Sequence, residues 1–235
     1  MFPLKDDVPS SSFPGVTLAL IIGNVLVFLL QMSLGPYRIE AFFHDYGFVP
    51  ARFLADGPNS GLLPSGAFTL LSSMFLHGGL FHLFANMWML WIFGDNVEDR
   101  LGHGRYLFFY LLCGIAAALA QFWSAPLSRV PMIGASGAIS GVVGAYFLLY
   151  PRARVLTFIP VFIFFYLVEV PAYVFIGFWF LMQFLQGVIF QVGTTGDPGQ
   201  GGVAWWAHVG GFLAGVVLLQ FFLRRGRGGK GQVWW

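Results

Sequence analysis

Residues 133–150, IGASGAISGVVGAYFLLY, hold no charged side chain and consist only of small, apolar or hydroxyl-bearing residues. Gly137, Gly141 and Gly144 fall at i, i+4 and i+7, which is one face of an α-helix. Such a face lets helices approach closely inside a bilayer. A helical crossing needs about 20 mainly apolar residues. Runs with few or no charges recur at 16–34, 74–94, 106–124, 155–190 and 203–223. The run at 155–190 is too long for one crossing and is interrupted by Pro160, Glu169 and Pro171. It reads as two spans, or as one span near 172–190 preceded by an apolar segment lying in or dipping into the interface.

Composition points the same way. The chain of 235 residues is 57% hydrophobic and 9% charged, against roughly 45–50% and about 25% in an ordinary soluble domain. So little charge cannot make a water-compatible surface. A soluble enzyme, a disordered chain and a nucleic-acid-binding protein are excluded; the chain reads as an integral membrane protein. The first run is too long for a cleavable signal peptide and no small-residue cleavage site follows it. Cys113 is the single cysteine, so the chain offers no intrachain disulfide and no cysteine cluster for zinc.

Basic residues set the orientation. With six spans and the N-terminus inside, the inner segments hold nine: Lys5, Arg100, Arg105, Arg152, Arg154, Arg224, Arg225, Arg227 and Lys230. The outer segments hold three, Arg38, Arg52 and Arg129. That asymmetry is what the positive-inside rule expects, and a seventh span would push RRGRGGK (224–230) outside. The expectation is an all-α membrane protein with six transmembrane helices and both termini cytoplasmic. Residues 1–15 form a short cytoplasmic N-terminus, 16–223 the membrane domain and 224–235 a basic cytoplasmic tail. The long loop 35–73 is expected to be partly folded at the outer surface, and the protein to lie in the cell's inner or plasma membrane.

Under this topology the second, fourth and sixth spans all run inward from the outer side, and each carries polar residues near its outer end. These are His77, His82 and Asn86, then Ser136, then His208. Ser136 and His208 share one depth. His208 and Gly211, three apart, lie on the face that Gly211 and Gly215 leave open for packing, so close approach of the fourth and sixth helices would join hydroxyl and imidazole. Blander readings compete: a lone serine commonly bonds its own helix, and glycine faces more often mark packing than chemistry. Buried ionisable groups in a membrane are costly, however, and mark function. Three histidines could hold a metal or haem, but no HExxH motif, cysteine partner or acidic ligand in the spans supports that. His77 is the weakest candidate, at the interface. Glu169 is also placed at an interface, and Trp205 and Trp206 in the outer aromatic belt.

HGGLFHLFANMW (77–88), GASGAISGVVGAY (134–146) and AHVGGFLAG (207–215), in that order on alternate spans, resemble the rhomboid family of intramembrane serine proteases. FGDNVEDRLGHGRY (93–106) is also similar. The resemblance covers roughly 16–223. It implies a compact helical bundle, with Ser136 as nucleophile, His208 as general base, and His82 and Asn86 helping to bind the oxyanion. Where many rhomboids carry Trp-Arg in the first outer loop, this chain has Phe68-Thr69. The implied activity is serine endopeptidase cleavage of transmembrane segments near the outer face by a Ser–His dyad. No metal or organic cofactor is needed, and the implied partners are membrane-protein substrates and the bilayer. The runner-up is a catalytically silent relative that binds or escorts membrane proteins. A polar-lined transporter or channel comes third, disfavoured by the missing internal repeat.

Overall fold

The structure, a computed structural model, describes residues 1–56, 66–193 and 203–223. The expected basic tail, 224–235, lies outside the described residues, as do 57–65 of the long loop and 194–202. The order of elements is β1 (Phe2–Asp6), α1 (Gly15–Ser33), α2 (Pro36–Tyr46), α3 (Pro50–Asp56), α4 (Gly66–Ser72), a 3-10 turn (Ser73–Phe75), α5 (Leu80–Leu101) and α6 (His103–Ser124). There follow α7 (Ser136–Leu149), β2 (Arg154–Val161), β3 (Phe164–Pro171), α8 (Ala172–Gly193) and α9 (Trp205–Phe222).

Among the described residues, α1, α6, α8 and α9 are long and apolar enough to cross a membrane. A fifth candidate is Gly66–Phe75 with Leu80–Leu101, bent by 85°. The sixth expected crossing is α7, only 14 residues long. At about 1.5 Å per residue it is roughly 21 Å long, shorter than the hydrocarbon core of about 30 Å. α7 is walled by α5, α6, α8 and α9, and the run from Gly137 to Tyr146 is buried throughout.

The glycine faces bring α7 and α9 into backbone contact. A Cβ on Gly211 would overlap the Gly137 carbonyl, and one on Gly215 the Gly141 carbonyl. Only glycine permits this approach.

The all-α expectation needs one correction. Residues 154–171 are not a helical span but a β-hairpin, β2–β3, which β1 extends to a three-stranded antiparallel sheet in the order β1-β2-β3. The physical cause lies in the residues. Pro160 and Pro171 cannot sit inside a helix without losing hydrogen bonds, and the β-branched and aromatic residues around them suit strands. The two-residue turn places Phe162 at φ 55 and leaves it 97% exposed. Glu169 pairs with Arg154 across the base of the hairpin at 2.9 Å. The one span expected near 172–190 is α8.

β1 also fixes the helices. Trp88 Nε1 donates to the Pro3 carbonyl at 2.7 Å, and Phe2 stacks on Trp88. At the far end of α5, fully buried Glu98 accepts from Val16 N–H (2.8 Å), Thr17 N–H (2.7 Å) and Thr17 Oγ1–H (2.7 Å). A carboxylate there satisfies the free N–H groups that begin α1 and meets the positive end of its dipole.

Candidate active site

Ser136 is the first residue of α7, so its N–H has no acceptor within the helix. The chain reaches it through Gly134 at φ +128, a conformation that favours glycine. The Gly134 N–H is held by the Ser73 carbonyl at 2.9 Å. The long loop adds a second tie, because Phe48 and Met132 exchange backbone hydrogen bonds of 3.0 and 2.8 Å. The segment leading to Ser136 is therefore pinned on two sides.

His208 lies one turn into α9, and its Nε2 is 2.8 Å from Ser136 Oγ. Its Nδ1 is 2.7 Å from Gln183 Oε1 on α8. Two indole rings stand near it, with Trp179 centred 6.3 Å and Trp205 6.2 Å from the imidazole. Ser136 and His208 are partly exposed, so both can be reached from the cavity.

His82, in the first turn of α5, stands across from them. A Cβ added to Gly134 would lie 2.9 Å from His82 Nε2 and 3.6 Å from Ser136 Oγ. The Gly78 N–H points at His82 Nδ1 over 3.4 Å, which leaves Nε2 as the protonated, donating nitrogen. Asn86 is buried one turn further along, with Nδ2 donating to the His82 carbonyl at 2.8 Å. A cavity of about 900 Å3 is lined by His82, Asn86, Gly134, Ser136, Gln183 and His208.

The four expected site residues thus surround one cavity. His77 does not join them: it is 1% exposed, packs edge-on against His82 with ring centroids 5.1 Å apart, and is tied through its backbone to Gln31. The interfacial reading of His77 is overturned. Its ring is needed to fill space behind His82. Trp205 also lines the cavity wall. The site also includes Gln183, which hydropathy alone passes over because it sits inside an apolar run. An amide in such a run was itself the available signal. At the Phe68-Thr69 position, Thr69 is buried on α4 with Oγ1 donating to the Gly66 carbonyl at 2.9 Å.

A rhomboid-domain family model matches residues 64–225. The chain is 31% identical over 153 residues to Rhomboid protein 1, mitochondrial, of Saccharomyces cerevisiae, covering 63% of this chain and 40% of that protein. It is 32% identical over 148 residues to the human Presenilin-associated rhomboid-like protein, mitochondrial, covering 62% and 36%. It is 45% identical over 76 residues to Rhomboid protease GluP of Bacillus subtilis, covering 32% and 14%. The matched region spans at most two fifths of each of these relatives. With most of the membrane bundle inside the matched stretch, the chain is an integral membrane protein that belongs to the rhomboid family.

Proposed function

We propose that the protein is an intramembrane serine endopeptidase that cleaves transmembrane segments of other membrane proteins with a Ser136–His208 dyad. The 2.8 Å contact between Ser136 Oγ and His208 Nε2 carries this reading. A serine hydroxyl is a poor nucleophile until an adjacent base takes its proton. His208 Nε2 accepts that proton as Oγ attacks the scissile carbonyl carbon. The resulting oxyanion is met by the Ser136 N–H, His82 Nε2–H and the second Nδ2–H of Asn86, whose first is held by the His82 carbonyl. When the tetrahedral intermediate collapses, the C–N bond breaks and His208 returns the proton to the leaving amine. Water then attacks the acyl-enzyme by the same route and regenerates Ser136.

The membrane domain in this reading is 16–223, flanked by cytoplasmic residues 1–15 and 224–235. Six crossings put the site at the outer side, and the basic residues support that orientation. The membrane itself is read as the cell's inner or plasma membrane; two of the relatives carry mitochondrial names, and fractionation decides between these locations. A bound substrate must unwind, because a lipid-embedded helix pairs every one of its carbonyls internally. Substrates are therefore single spans with a small residue near the outer boundary and Gly or Pro further inward.

The test is labelling by a fluorophosphonate probe together with cleavage of a model membrane substrate. Both are expected in the parent and absent in Ser136→Ala and His208→Ala proteins that remain folded in detergent. Undiminished cleavage by Ser136→Ala would sink the assignment. A folded parent without probe labelling or cleavage would favour a silent binding protein.

A further inference from the structure

Gln183 projects from α8 into the cavity wall with its side chain buried and its Oε1 2.7 Å from His208 Nδ1. One turn earlier on the same face, Trp179 covers the imidazole. A carboxamide oxygen can only accept a hydrogen bond. The proton of neutral His208 therefore resides on Nδ1, and Nε2 offers its lone pair to Ser136 Oγ–H at 2.8 Å. The opposite tautomer would set a lone pair against Oε1 and a proton against the hydroxyl that must lose one.

We propose that Gln183 is a positioning residue that selects the tautomer and ring rotation of His208 required for proton transfer from Ser136. This rests on the serine-protease reading above. In a serine-protease triad a buried carboxylate does this work, holding the imidazole and stabilising the imidazolium as it forms. Among the described residues facing this cavity none is acidic, and an uncompensated carboxylate in a bilayer is costly. An amide oxygen offers the same acceptor geometry without the charge. The Gln183 side chain does not touch Ser136, and its action on the reaction passes through His208.

Three variants and one spectroscopic measurement test this. Gln183→Met keeps the volume and loses the acceptor, so kcat should fall about tenfold to a hundredfold, by analogy with a metal-bound imidazole deprived of its orienting partner, while KM stays put. Gln183→Leu should behave alike, and Gln183→Glu, which keeps an acceptor oxygen, should exceed both. Selective 15N-histidine NMR of the folded parent, with His208→Ala to assign the signal, should show His208 protonated at Nδ1. That measurement decides even where a variant fails to fold. Parental kcat in Gln183→Met or Gln183→Leu, equal turnover in the Met and Glu variants, or a parent His208 protonated at Nε2 would each overturn the proposal. A parent that neither cleaves nor labels at Ser136 counts against the protease reading instead, and the tautomer measurement still reports on Gln183.

Discussion

Gly211 lies so close to Gly137 that the carbonyl of the second occupies the place where a side chain of the first would begin. Gly215 and Gly141 repeat the contact one turn along. The distance between α7 and α9, and with it the contact between Ser136 and His208, is set by these two pairs. Gly211→Ala should force the helices apart at a cost of about 1–3 kcal/mol. Lower thermal stability in detergent and at least tenfold weaker probe labelling at Ser136 are expected. A Gly211→Ala protein with parental labelling would show that the helix contact does not govern the dyad.

The oxyanion donors make a separate prediction. His82→Ala and Asn86→Ala each remove one donor from the cavity wall opposite His208. Loss of one such donor typically lowers kcat about 100- to 1,000-fold. Acylation by a small, highly reactive probe should suffer less, because it depends chiefly on Ser136 and His208. Steady-state cleavage compared with probe labelling separates the two effects.

Glu98 supports α1 from about 24 Å along α5, counted from His82 at 1.5 Å per residue. Glu98→Gln keeps the shape but replaces charged acceptors of the Val16 and Thr17 N–H groups. A loss of about 1–3 kcal/mol is expected for hydrogen bonds to a charged group. Thermal unfolding should register it, while kcat of the folded fraction should not change.

β1 docking should depend on pH. Burial pushes the Asp6 carboxyl up to about 6, with Asp95 and Asp7 adding to the rise and the Tyr146 hydroxyl opposing it. The folded state therefore keeps a proton that the unfolded chain, near its ordinary 3.8, has already lost. Between those two values stability falls as pH rises, and above about 6 the effect levels off. Asp6→Asn should flatten this contribution. The difference in melting temperature between parent and variant, followed across that window, measures it.

Much of the site was legible in the sequence because a bilayer makes polar residues conspicuous. Ser136, His208, His82 and Asn86 stood out against apolar runs, and the glycine spacing told which helices pack. Gln183 obeys the same rule and was passed over because it carries no charge and belongs to no recognised motif. The hairpin was illegible for a different reason. Hydropathy adds up side chains and assigns no backbone conformation, so the breaks at Pro160 and Pro171 left either two spans or an interfacial segment open, and the pairing of β2 with β3 went unseen. Glu98 lies beyond the apolar run that ends at 94; α5 continues through it to Leu101, and burial against α1 makes its carboxylate a cap for that helix.

The pairing of β1 with β2 has a consequence for biogenesis. Phe2 meets Phe158 in the sheet, so at ribosomal speeds of about 5–20 residues per second the strand waits some 8–30 seconds for its partner. During that interval α1, α5, α6 and α7 are made while β1 stays an unpaired edge, open to mispairing with other nascent strands. Closure of the sheet can follow only after α7 has been made, because Asp6 also bonds Tyr146. The N-terminal strand is thus a late fastener on the bundle, and chains released before residue 154 leave it unfastened.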